Sequence, residues 1–152
     1  IKMLMVDLVN ICRSRLAEGI LKSKVNRTKV FVDSAGTSDF QQGNLPDYRS
    51  VKIAHKHGID ITNQRSRPFN IKDFDTFDII YVMDQSNYQN ILMLARNESD
   101  KQKVKLILSE NSLSKFTEVP DPYLDNEQGF INVFKMLEET CEIISTKLND
   151  TK

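Results

Sequence analysis

Asp7-Leu8-Val9-Asn10-Ile11-Cys12-Arg13-Ser14-Arg15 stands between an apolar stretch, Met3-Leu4-Met5-Val6, and a segment whose apolar residues Leu16, Ala17, Ile20 and Leu21 recur at helical spacing. These nine residues therefore link the end of a buried strand to the start of an amphipathic helix. The first N–H groups of a helix have no partner within it, and with the positive end of the helix dipole they converge on an anion held in the preceding turn. Ser14 is expected at the N-cap. Arg13 adds a planar fork of donors matched to two oxygens of a phosphate.

Outward from this loop, apolar stretches bounded by polar or turn residues predict strands near 2–8, 29–34, 77–83 and 104–108. Helical patterns lie between them, near 15–24, 48–57 and 86–95. This alternation predicts an α/β fold: one domain over 1–152, a doubly wound, flavodoxin-like sheet of about four parallel strands with helices on both faces. The last segment is the clearest helix, its face formed by Phe130, Val133, Phe134, Leu137, Cys141, Ile144 and Leu148, and that face is expected to pack on the sheet. Residues 97–102 and 109–115 read as polar loops. Ligands of open parallel sheets bind beyond the carboxyl ends of the strands, which gathers residues 7–13, 34–40 and Asp84 around one cleft.

The loop resembles the Cys-x5-Arg-Ser loop of the low-molecular-weight protein tyrosine phosphatases, close to Cys-Leu-Gly-Asn-Ile-Cys-Arg-Ser-Pro. Leu8, Asn10, Ile11, Cys12, Arg13 and Ser14 match; Asp7 stands for the nucleophilic cysteine, Val9 for a glycine and Arg15 for a proline. Further matches follow in family order: Asp33-Ser34-Ala35-Gly36-Thr37, Phe40, Gly43, Pro46, Arg49, His57-Gly58-Ile59-Asp60, Arg65-Ser66-Arg67, Tyr81-Val82-Met83-Asp84 and Asp121-Pro122-Tyr123. Order and spacing carry the resemblance more than any one piece.

The resemblance implies a reaction in which a thiolate attacks phosphorus while Asp121 protonates the leaving phenolate, and water then cleaves the phosphocysteine. Residues Leu8 to Ser14 would bind the phosphate, Phe40 and Tyr123 would wall an aryl ring, and no metal or other cofactor is implied. Asn10 and Ser14 would hold the loop in shape, and Asp84 would order the site or simply cap the next helix. Asp7 changes this chemistry. A carboxylate beside a bound phosphate brings like charges within a few Å, at a cost of about 1–4 kcal/mol near a protein surface. Aspartyl-phosphate enzymes normally offset such charge with Mg²⁺. A catalytically impaired site is the favoured reading. Val9 is expected to strain or reshape the loop unless the position tolerates any residue. Arg15 is expected at the surface, solvated or adding charge beside the cleft. Cys12 lacks its family redox partner and reads as a buried, inert thiol. Leu124 replaces a second aromatic and loosens the rim.

Composition bounds these functions. The 152 residues carry 21 Lys plus Arg against 21 Asp plus Glu, a formal charge of zero that disfavours a nucleic-acid binder. Two cysteines at unrelated positions disfavour a disulfide scaffold or a zinc site. His55 and His57, two apart on a helix, face different ways and do not share a metal. No apolar run reaches membrane-spanning length and no leader pattern precedes the first strand, so no membrane partner and a cytoplasmic location are expected. The expected partners are a phosphotyrosine protein, a small aryl phosphate, inorganic phosphate or another oxyanion. Two alternatives remain: a non-catalytic pseudophosphatase that binds phosphotyrosine or an oxyanion, and an arsenate reductase-like protein. The latter needs a downstream cysteine pair, and only Cys141 lies downstream.

Overall fold

A computed structural model describes residues 1–38 and 43–150, without the side chain of Asp150. Strands β1 (Lys2–Asp7), β2 (Phe31–Gly36), β3 (Ile79–Val82) and β4 (Val104–Leu106) form one sheet in the order β2-β1-β3-β4, with every neighbouring pair parallel. Helices α1 (Arg13–Lys24), α2 (Tyr48–Lys56), α3 (Asp73–Thr76), α4 (Gln85–Leu94), α5 (Glu98–Gln102) and α6 (Glu127–Asp150) alternate with them, and a 3₁₀ turn (Ile107–Glu110) follows β4. This is the expected doubly wound α/β fold. Between β1 and β3 the order of winding reverses, so the segments after these two strands splay apart and open a crevice between them.

Alternation along the strands builds two cores. Met3 and Met5 of β1 and Tyr81 of β3 face α1, α2 and α6, whose Leu16, Ile20, Ile53, Phe134, Leu137 and Cys141 are buried against them. Leu4, Val6, Ile80 and Val82 face the other way, onto Phe74, Phe77 and Ile91. The α6 stripe packs on α1 as well as on the sheet, because the two helices lie side by side on one face. Two stretches depart from the sequence reading. Residues 97–102 are not a polar loop: Asn97 caps α5 through Asp100 N, and Asp100 is buried against the guanidinium of Arg96, four residues before it. The short helix α3 is too brief to leave a periodic signal. Among the described residues no helix is long and apolar enough to cross a membrane.

Candidate active site

The loop after β1 is held from outside by its carbonyls. Asp7 O accepts from Thr37 N at 2.9 Å, Leu8 O from Ser38 N at 2.8 Å, and Ile11 O from Asp47 N at 2.8 Å. Asn10 O accepts from Arg15 Nε at 2.9 Å. With the carbonyls turned outward, the N–H groups of Asn10 and Ser14 point inward. Asn10 makes the reversal possible: its φ of 61° is the only left-handed non-glycine backbone among the described residues, a conformation asparagine tolerates. Its side chain locks the turn, donating from Nδ2 to Ser14 Oγ at 2.7 Å and accepting from Arg67 N at 3.1 Å. Gly36, opposite Asp7 in the β1–β2 register, lets the loop come close: a Cβ there would lie 2.8 Å from Leu8 O and 3.1 Å from Asn10 N.

Asp7 lies inside this cradle, 3% exposed. Its Oδ1 accepts from Asn10 N at 2.6 Å and its Oδ2 from Ser14 N at 3.1 Å, so the carboxylate takes inward donors that an anion would use. Burial pushes its pKa up, against the pull of Arg13 and of the hydrogen bonds from Ser14 and Asn10. Arg13 is also buried. Its Nη1 donates to Asp84 Oδ2 at 2.7 Å and to Val119 O at 2.8 Å, while its Nε is buried without a partner. Asp84 has both roles foreseen for it, capping α4 through Asn87 N and anchoring Arg13. Asp121 faces the same arginine, its Oδ2 3.9 Å from Nη2, with its side chain 45% exposed and its Oδ1 accepting from Tyr123 N. The structure thus gathers Asp7, Arg13, Asp84 and Asp121 at the crevice.

One wall of the crevice is apolar. Val9, Ile11, Cys12 and Phe130 pack together, and the Arg49 guanidinium lies 4.4 Å from the Phe130 ring centre and 5.6 Å from that of Tyr123. Arg49 also donates to Tyr123 O and to Asp47, joining this wall to the loop. Tyr123 is 46% exposed, and Leu8 and Leu124 are exposed on the rim. Phe40 lies outside the described residues. Burial pushes the Cys12 thiol far up, reinforced by the Asp47, Asp7 and Asp121 carboxylates. Cys141 sits in the core and is pushed up to about 12 by burial.

Two expectations for the loop are corrected, and a third is decided between its alternatives. The N-cap of α1 is Cys12 and not Ser14, which is the second residue of the helix with its N–H committed to Asp7. For Val9 the structure fits the tolerant alternative: its backbone is not left-handed, and that conformation falls on Asn10. Arg15 is not at the surface: it is 2% exposed, with its Nε on Asn10 O, and burial draws its guanidinium down to about 10, partly countered by Glu18, Asp7 and Asp33. Asp47, Arg67, Val119 and Phe130 were not singled out for the site. Arg67 is clamped by Asp33 and Asp73 while its N–H holds Asn10. Only long-range packing brings it to the loop.

Comparison with known proteins agrees with this geometry. The family model described as low molecular weight phosphotyrosine protein phosphatase matches residues 2–152. A low molecular weight phosphotyrosine protein phosphatase of Gallus gallus is 37% identical, over 95% of this chain and 93% of the relative. A protein tyrosine phosphatase of Entamoeba histolytica, crystallised with Hepes in its active site, superposes with a TM-score of 0.92 at 37% identity, covering 99% of this chain and 98% of that one. An arginine phosphatase of Drosophila superposes with a TM-score of 0.89 at 31% identity, covering 97% and 98%. The chain belongs to the low molecular weight phosphotyrosine protein phosphatase family.

Proposed function

We propose that this chain keeps the family's phosphate cradle for a phosphotyrosine side chain, an aryl phosphate or a free oxyanion, but turns over such esters slowly or not at all. The observation that carries this reading is the Asp7 carboxylate, buried and hydrogen-bonded to Asn10 N and Ser14 N. In the family reaction a thiolate occupies this place; a carboxylate is a weaker nucleophile and competes with the phosphate for the same donors. The rest of the machinery supports binding. Arg13 keeps its Nε unpaired in the crevice, Asp121 stands across from it as a proton donor for a leaving phenolate, and Tyr123 offers a flat apolar face to an aryl ring. The aryl preference rests on Tyr123 and on the family.

Two measurements test this. Hydrolysis of para-nitrophenyl phosphate should be indistinguishable from background, and titration with phosphate, vanadate and a phosphotyrosine peptide should show weak binding that strengthens as pH falls. Metal-independent turnover that vanishes in Asp7→Asn would refute the impaired reading and make Asp7 the nucleophile. No binding of any of the three ligands, even in acid, would refute the cradle.

A further inference from the structure

Beside the crevice, α2 and the first turns of α6 enclose a groove of about 150 Å³. Its floor is apolar, formed by Ile53, Phe130 and Ile131, and its rim carries Lys52 and Lys56 against one carboxylate, Glu127, beside Arg49, which is paired with Asp47. The three cations recur at intervals of three and four residues and so share one face of α2. Lys52 and Lys56 are 51% and 53% exposed, and both reach the same Glu127 Oε1, at 3.7 and 3.4 Å. One carboxylate thus serves two ammonium groups, and its position shows how an acidic side chain sits on this rim. The whole chain has no formal net charge, so the positive excess here is local.

The groove borders the candidate active site through Arg49 and Phe130. Arg49, at its near end, donates to Asp47 and Tyr123 O and stacks over Phe130, which packs on Ile11 and Cys12 of the loop. We propose that this groove holds an acidic stretch of a phosphoprotein whose phosphorylated side chain enters the cradle; the assignment rests on the phosphate-binding reading above. From Arg49 to Lys56 the helix rises about 10 Å, which an extended peptide covers in about three residues. The acidic residues therefore lie within about three positions of one another, on the α2 side of the phosphorylated one. Their side chains meet Lys52 and Lys56 while an apolar neighbour rests on the partly buried Ile131.

The test is fluorescence anisotropy on the full chain with labelled phosphotyrosine peptides. Flanking residues are acidic or neutral, on either side, and each peptide has an unphosphorylated counterpart. The acidic phosphopeptide should bind about 5–10-fold more tightly than the neutral one in dilute buffer, and the difference should shrink in concentrated salt. Lys52→Glu with Lys56→Glu should abolish that difference and leave the neutral phosphopeptide unchanged; Lys52→Ala with Lys56→Ala should give the same pattern, more weakly. Equal affinity for acidic and neutral peptides, or a difference that survives both double variants, overturns the groove. So does an oligonucleotide that binds as tightly as the acidic peptide, since the rim would then be a general polyanion surface. If phosphorylation adds no affinity to any peptide, the cradle reading fails by itself, and the unphosphorylated acidic and neutral pair still decides the groove through the same variants.

Discussion

Replacing Asp7 by serine isolates what the carboxylate does to anion binding. At neutral pH an incoming phosphate must displace the carboxylate from Asn10 N and Ser14 N or wait for it to bind a proton. Displacement gives up two charge-assisted hydrogen bonds, each of about 1.5–3 kcal/mol. It also sets two anions a few Å apart, at about 1–4 kcal/mol. The phosphate regains most of the hydrogen bonding, because the same N–H groups then serve it, so the net penalty is about 2–4 kcal/mol. Serine removes the charge, is too short to span both donors and leaves Arg13 with its Asp84 and Val119 partners. Asp7→Ser should therefore bind phosphate or vanadate about 30- to 1,000-fold more tightly at pH 7.5. Isothermal titration at pH 7.5 and again near pH 5, corrected for ligand ionisation, measures it. The gain should shrink in acid, where the Asp7 carboxyl of the parent, raised by burial, takes up its proton. A folded serine variant with unchanged affinity at pH 7.5, or a gain that is the same at both pH values, would refute this account of the cradle.

Asp7→Cys alone should restore hydrolysis of para-nitrophenyl phosphate with Val9 left in place, since the left-handed backbone is at Asn10. In that background Asp121→Asn should lower kcat about 10²–10⁴-fold on esters with poor leaving groups and much less on good ones; a folded, vanadate-binding Asp7→Cys without activity contradicts both assignments. Because burial raises the Asp7 pKa above its ordinary 3.8, the folded chain binds the extra proton between the two values, and stability falls as pH climbs through that window. Asp7→Ser should accordingly melt higher than the parent at pH 7.5, by about 2–4 °C per kcal/mol relieved, with the gap closing near pH 4; an equal gap at both pH values counts against it. Gly36→Ala drives a methyl to 2.8 Å from Leu8 O and should cost about 1–3 kcal/mol in urea denaturation, while weakening phosphate binding; a neutral outcome in both would mean the loop yields freely.

The fold was legible because each strand is a short apolar run and helices such as α2 and α6 carry a clear stripe, so the alternation dictates a parallel doubly wound sheet. The loop was legible as a motif, and its placement at the end of β1 beside Asp84 follows from the topology. Its internal geometry was less so. Val9, Asn10 and Ser14 are read in sequence by what each type tolerates, yet the strained backbone and the cap are shared out by the loop as a unit, so the left-handed residue is Asn10 and the cap is Cys12. Sequence alone places Arg15 at the surface because a charged residue is ordinarily exposed. It is buried because it completes the hydrogen bonding of Asn10 O. Arg67 and Asp47 act on the loop from 57 and 36 residues away, counted from Asn10 and Ile11, distances that no local pattern spans.

The outward carbonyls of the loop bear on the thermodynamics of any ligand. Thr37, Ser38, Asp47 and Arg15 hold four of them, and Arg67 holds the Asn10 side chain, so the turn is fastened by the surrounding scaffold. An arriving anion then meets donors already aimed and need not order the chain around itself, a cost that often dominates weak binding. Exchanges at position 7 should accordingly report electrostatics with little contribution from loop folding. Calorimetry across serine, asparagine and cysteine at that position should show heat-capacity changes that stay small and alike while affinities spread widely.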